Sequence, residues 1–225
     1  MTGITDHPHF AKLLEQRCFF LFMALLALLI ALPFLAETAH GRLILTLVNV
    51  AVLLTALAAV GRSRISFVIA LFLVIPALAF RFLALGSNLP SYFELSLGFN
   101  ALFYAFILAD LLHYVLRRDV MTADKLYGAV SAYILVAVLW ANLHGVLQYV
   151  YPGSYAVAGT TTSLDMPELI YFSFTALTTA GFGDITPQLI QSRFLTILEM
   201  VTGVMYIAIL IARLTGVYPV VERKS

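Results

Sequence analysis

Two stretches of this chain, Cys18 to Ala36 and Leu43 to Gly61, each run 19 residues without an acidic or basic side chain. A helix of about 20 apolar residues crosses the roughly 30 Å of hydrocarbon in a bilayer, so both read as membrane spans. A third runs from about Ile65 to Leu85, interrupted near its end by Arg81, and a fourth from about Phe93 to Leu116 around Asp110. The uncharged run from Leu126 to Leu164 is too long for one helix and breaks at Tyr151-Pro152-Gly153-Ser154, leaving a fifth helix over 126–150. A sixth occupies 190–217. Composition agrees: 62% of the 225 residues are apolar and only 11% charged, where a soluble domain carries about 25% to face water. The net charge of +1 gives no bulk attraction to nucleic acid, and a single cysteine, Cys18, excludes an internal disulfide framework or a cysteine metal cluster. The first run exceeds a signal-peptide core and no clear cleavage site follows it, so it stays a span.

Between the fifth and sixth helices, Leu169 to Gly183 is apolar enough for the membrane but only 15 residues long. Non-helical backbone at membrane depth is tolerated only inside protein or beside water, so this stretch reads as a re-entrant helix and loop. With the N-terminus in the cytoplasm, Lys12, Arg17, Arg62, Arg64, Arg117, Arg118, Lys125, Arg213, Arg223 and Lys224 fall on the inner side and only Arg42, Arg81 and Arg193 outside. Positive charge is retained in the cytoplasm, which places both termini there.

The re-entrant helix, expected over 166–178, starts with Asp165 to cap free N–H groups, Pro167 in the first turn and Glu168 three residues after the cap. Its C-terminal end carries partial negative charge and would point into the membrane, where it favours a cation. Beyond it, Gly181 and Gly183 can adopt backbone angles closed to other residues, so that successive carbonyls turn to one side. Four such strips around an axis make rings of oxygens that replace the water shell of a cation, with the Thr179 hydroxyl closing the inner end. The run Thr178-Thr179-Ala180-Gly181-Phe182-Gly183-Asp184 resembles the selectivity-filter signature of potassium channels.

That resemblance covers about Leu126 to Val217 and implies a pore domain of outer helix (126–150), pore helix (166–178), filter (179–183) and inner helix (190–217). It implies K+ sites at the backbone oxygens of Thr179, Ala180, Gly181 and Phe182, and a homotetramer in the lipid bilayer, with partnership by other channel subunits open. By the same likeness Tyr171 and Phe172 brace the filter, Asp184 is the mouth acid, Arg193 the basic residue opening the inner helix, and Gly203 the glycine read as a gating hinge. Two positions depart from the family pattern: Ala180 replaces the usual Val or Ile, and Phe182 the commoner Tyr. Thr175 stands where some members place a carboxylate facing the mouth acid, so Asp184 needs a different partner.

By count and position the first four helices (18–116) resemble the voltage-sensing half of six-helix channels, joined to the pore by a linker at 117–125. A sensor needs basic residues at every third position of one helix, and from Phe93 to Leu116 there is none. A non-sensing bundle is therefore expected. The segments 1–17 and 218–225 are read as cytoplasmic, with no room for a ligand-binding domain in the latter.

The remaining charges have structural readings beside functional ones. Glu199, some way down the inner helix, needs a partner or a proton in lipid; a pore-helix hydroxyl, Thr175 or Thr178, is the expected one, bracing the back of the filter. Gly203 reads equally as a close-packing residue or a hinge, and Arg193 as an interfacial anchor. Arg81 and Glu94 are expected to pair between adjacent helices. Asp110 with His113, and His144 near Trp140, read as buried polar contacts, the former alternatively as a pH or metal site; His7 and His9 read as solvated. The fold class is thus an all-α membrane protein, with six spanning helices and one pore loop. The expected function is passive potassium conduction with no organic cofactor and no catalysis, in a prokaryotic inner membrane. A weakly selective cation channel and a non-conducting channel subunit remain as alternatives. A membrane enzyme is disfavoured, since no Gly-x-Ser-x-Gly or His-Glu-x-x-His motif occurs.

Overall fold

The structure, a computed structural model, describes residues 17–35, 41–60, 64–86, 90–117 and 122–215. Lys12, Arg62, Arg118, Arg223 and Lys224, on which the placement of the termini partly rests, lie outside them, as do His7 and His9, read as solvated. Four helices come first: α1 (Arg17–Leu35), α2 (Gly41–Val60), α3 (Arg64–Gly86) and α4 (Pro90–Val115). There follow α5 (Ala123–Val150), strands β1 (Tyr155–Val157) and β2 (Thr160–Thr161), the short helix α6 (Met166–Leu177), strand β3 (Ile185–Pro187) and α7 (Ile190–Thr215). Helices α1, α3, α4, α5 and α7 are each long and apolar enough to cross a membrane, while the apolar stretch of α2, Leu43–Ala59, is shorter. The molecule is a multi-pass, all-α membrane protein whose only described strands form one small sheet.

Each helix buries one stripe. In α1 the stripe is Leu21, Leu25, Leu28 and Leu32; in α4 it is Leu97, Ala101, Tyr104, Ile107, Leu111 and Val115, the three-and-four spacing of one helical face. The outer faces, including Ile30, Phe34, Phe72, Ile75 and Leu102, are also apolar and stand exposed, as lipid contact requires. Because lipid is as apolar as leucine, close packing rather than water exclusion drives helix association here. Gly128 shows the effect: a Cβ there would come 3.2 Å from both the Cys18 sulfur and a Val115 methyl.

Helix α5 is the shared wall. It packs against α1 and α4 on one side and α6 and α7 on the other, and 61% of its apolar window is buried against 17% for α7. It starts at Ala123, so the expected linker over 117–125 is shorter than its sequence suggested. The reason is local: Thr122 caps the helix by accepting from the Lys125 amide, and Asp124 accepts from the Cys18 amide at 3.0 Å and the Tyr114 hydroxyl at 2.9 Å. One carboxylate thereby joins the start of α1, the end of α4 and the start of α5.

After the break at Tyr151, β1 pairs antiparallel with both β2 and β3 in the order β2-β1-β3. The hairpin turn is Ala158-Gly159, with φ of 47° and 83°, the doubly left-handed loop that matches strand twist. Tyr155 faces Pro187 across β1 and β3, and the Ser192 hydroxyl and Gln188 amide, at the head of α7, both donate to the Ser154 carbonyl. The sheet therefore covers the end of α5 and fixes where α7 begins.

Arg81 and Glu94 do not form the expected pair. The Arg81 guanidinium lies 5.0 Å from the centre of the Phe93 ring, whereas Glu94 bonds the Tyr149 hydroxyl on α5. Among the described residues no group of three or more His, Cys, Asp or Glu side chains is arranged to hold a metal ion.

Candidate ion-binding site

Helix α6 is built by its ends. The Asp165 carboxylate accepts from the Glu168 amide at 2.9 Å while Glu168 accepts from the Asp165 amide at 2.8 Å, the reciprocal cap that the sequence pattern requires. Gln148 on α5 holds the approach by donating to the Leu164 carbonyl and accepting from the Leu164 amide. The helix closes one residue earlier than expected, at Leu177, with Thr178 as its C-cap.

The chain then folds back on the last turn of α6. The Thr179 amide donates to the Ala176 carbonyl at 2.9 Å and the Gly181 amide to the Thr175 carbonyl at 3.1 Å. Positive φ recurs at every second residue: Thr179 at 59°, Gly181 at 51° and Gly183 at 82°. For a β-branched residue such as Thr179 the left-handed region costs about 1–3 kcal/mol and persists only where its surroundings impose it. Alternating handedness is the backbone pattern that aims successive peptide groups at one ligand, as in anion nests with the dipoles reversed. All seven residues from Thr178 to Asp184 are exposed in the single chain, beside the C-terminal, partially negative end of α6.

At the far end of the loop Asp184 has the different partner it needed. The Tyr171 hydroxyl donates to its Oδ2 at 2.8 Å, and Ala158 of the hairpin donates to its carbonyl. This hydrogen bond holds the Asp184 carboxyl below the usual carboxylate range and raises the Tyr171 phenol. The Phe182 ring lies parallel to Tyr171, 8° between planes with centroids 6.4 Å apart, and is otherwise open. Phe172 is turned the other way, buried against His144 and Tyr155. Arg193 donates from Nε to the Pro187 carbonyl, fixing the head of α7.

Glu199 does bond a hydroxyl of α6, but the hydroxyl is that of Ser173. Thr175 and Thr178 instead donate to the carbonyls of Phe172 and Phe174. Helical period explains the choice: the buried face of α6 carries Leu169, Ser173, Ala176 and Leu177, and Ser173 sits four after the first and three before the next, off which face Thr175 and Thr178 fall. His144, which the sequence reading placed near Trp140, contacts Glu199 through Nε2 at 2.8 Å and the Tyr155 hydroxyl through Nδ1 at 2.6 Å. Neither Ser173 nor Tyr155 was expected there; for Ser173 the periodicity was the available signal. Gly203 faces the end of α6 so closely that a Cβ would lie 2.0 Å from the Leu177 carbonyl oxygen.

Residues 130–218 match the family model described as Ion channel. The match spans about two fifths of the chain and makes this segment similar to ion channels. The matched ion-channel segment takes in most of α5, all of α6, the exposed loop and α7, the elements just described. No curated protein and no solved structure is detectably similar to the chain.

Proposed function

We propose that four copies of this chain assemble around the loop at Thr179–Gly183 to form a passive, potassium-selective channel. The alternation of positive φ at Thr179, Gly181 and Gly183, set between two membrane-spanning helices of an ion-channel segment, carries this reading. One strip supplies oxygens on one side of an ion, and the motif occurs once in the chain, so a ring needs several chains. The K+ ligands would be the backbone oxygens of Thr179, Ala180, Gly181 and Phe182 with the Thr179 hydroxyl. Gly183 serves as the turn that ends the strip, and Tyr171, Phe172, Thr175, Thr178, Asp184 and Glu199 hold it. In this reading α2 completes six spans with both termini cytoplasmic, in a prokaryotic inner membrane. Helix α4 carries no Lys or Arg between Pro90 and Val115, which argues against steep voltage gating because the membrane field has no row of charges to move.

The reading is tested by the reversal potential of purified protein in a planar bilayer with potassium on one side and sodium on the other. A value near the potassium equilibrium potential, lost in Thr179→Ala, is the expected outcome. Robust current reversing near zero would replace it with a weakly selective cation channel, a reading favoured at one point by the small Ala180 and the open Phe182 ring, which is 73% exposed.

A further inference from the structure

Behind the exposed loop, four polar side chains from four different elements are buried in contact. Tyr155 of β1, His144 of α5, Glu199 of α7 and Ser173 of α6 are each at most 0% exposed. The contacts run in a single file: Tyr155 hydroxyl to His144 Nδ1, His144 Nε2 to Glu199 Oε2, Glu199 Oε1 to Ser173 Oγ, and Ser173 Oγ to the Ala137 carbonyl at 2.7 Å. Their side-chain polar atoms have no other partners among the described residues, and His144 and Tyr155 are the titratable groups that face Glu199.

Protons can be counted along this file. It has four contacts and ends on a carbonyl, which only accepts. If Glu199 is an anion and His144 neutral, the file holds three protons, and Ser173 must leave either Glu199 or Ala137 without a hydrogen. If instead His144 is a cation facing an anionic Glu199, there are four protons, but both imidazole N–H groups point outward. The Tyr155 proton then has no acceptor, and Ser173 again serves only one of its two neighbours. Of the arrangements that fill all four contacts, only one strands no donor and forms no ion. In it Tyr155 donates to Nδ1, Nε2–H donates to Oε2, a protonated Oε1 donates to Ser173, and Ser173 donates to Ala137. It also leaves no charge at a site shut off from water, where an ion carries a desolvation cost of several kcal/mol and an unpaired donor one of its own.

We propose that Glu199 is a carboxylic acid in the folded protein, and that Tyr155, His144, Glu199 and Ser173 form a neutral, one-directional hydrogen-bond chain. This chain makes Ser173 a positioning residue, since it ties the middle of α6 to α5, α7 and the outer sheet at once. The inference that the tie steadies the loop rests on the channel reading, whereas the proton assignment does not.

Gln matches a protonated Glu in both roles, its oxygen accepting from His144 and its NH2 donating to Ser173. Infrared spectra of the full-length protein in lipid vesicles at neutral pH, recorded for wild type and Glu199→Gln, test the assignment. Expected is a protonated-carboxyl C=O band in wild type that is missing from the variant; a carboxylate band lost in its place would overturn the proposal. Thermal melting adds an independent arm that needs no conduction. Glu199→Gln is expected to melt with wild type, while Glu199→Ala, which strands Ser173 and His144, melts clearly lower. Gln melting as low as Ala would also overturn it. In Ser173→Ala the wild-type C=O band should persist at shifted frequency, because the acid keeps its proton and loses its acceptor. A band that stays unmoved would show that Ser173 is not that acceptor. Failure of the potassium reversal test with these results intact would remove the channel reading alone.

Discussion

Tyr171 and Asp184 make the clearest single-residue test at the outer mouth. The phenol's hydrogen bond favours the ionised carboxylate and so depresses the Asp184 pKa. A depressed acid keeps its charged-state contribution fully above the ordinary aspartate value of about 3.9 and loses it only as pH falls through the lower folded value. Tyr171→Phe removes the donor, so acid block of the current should begin at higher pH than in wild type. Current recorded during stepwise acidification of the outer solution checks this, and identical block curves would deny the bond a role in conduction. The same residues show what sequence can and cannot convey. That Asp184 needed an unusual partner followed from Thr175 standing in the expected place, but choosing Tyr171 required knowing that α6 brings residue 171 beside residue 184. The pairing of His144 with Glu199 spans 55 positions, and no local pattern encodes it.

At the scale of elements, α6 was legible because its signal is local. Asp165, Pro167 and Glu168 write a helix start within four residues, and the cap forms as written. Asp165→Ala removes it at a cost of about 1 kcal/mol, and the purified protein should melt lower, with Asp165→Asn retaining most of the stability; a melting temperature unchanged in the Ala variant would mean that Gln148 alone holds the entry. The small sheet was not legible. Its strands are two or three residues long, too short for alternation to show. The end of α5 was recognisable from Pro152-Gly153, because proline and glycine punctuate a chain whatever surrounds them.

For the whole molecule, the distribution of exposure is the informative quantity. Helix α7 is both apolar and largely uncovered, with Phe194, Leu198, Val201, Met205 and Ile209 all exposed, and the loop beside it is open along its length. Lipid accounts for an apolar outer face of a helix, but it does not satisfy an open strip of peptide groups at membrane depth. Further copies of the chain would. Native mass measurement of the protein in detergent or nanodiscs is expected to give four chains, and a stable monomer would leave the strip unclosed and the channel without a path. The membrane class was plain from the sequence because the hydrocarbon thickness sets span length directly, whereas chain number depends on surfaces that only the fold brings together.

The missing side chain at Gly203 has a mechanical meaning. It lets α7 rest on the Leu177 carbonyl at the base of α6, and the twelve residues from Val204 to Thr215 extend about 18 Å beyond that point at 1.5 Å per residue. Such a rod has a fulcrum with ties on both arms: the upper is held through Ser192, Arg193 and Glu199, the lower through Tyr206 on the Ala129 carbonyl and Arg213 on the Arg117 carbonyl. Any displacement of the lower arm is transmitted as load on the turn of α6 whose carbonyls hold Thr179 and Gly181. Under the proposed channel reading, movement of α7 would press on the loop at Thr179–Gly183 without a dedicated transmission element between them.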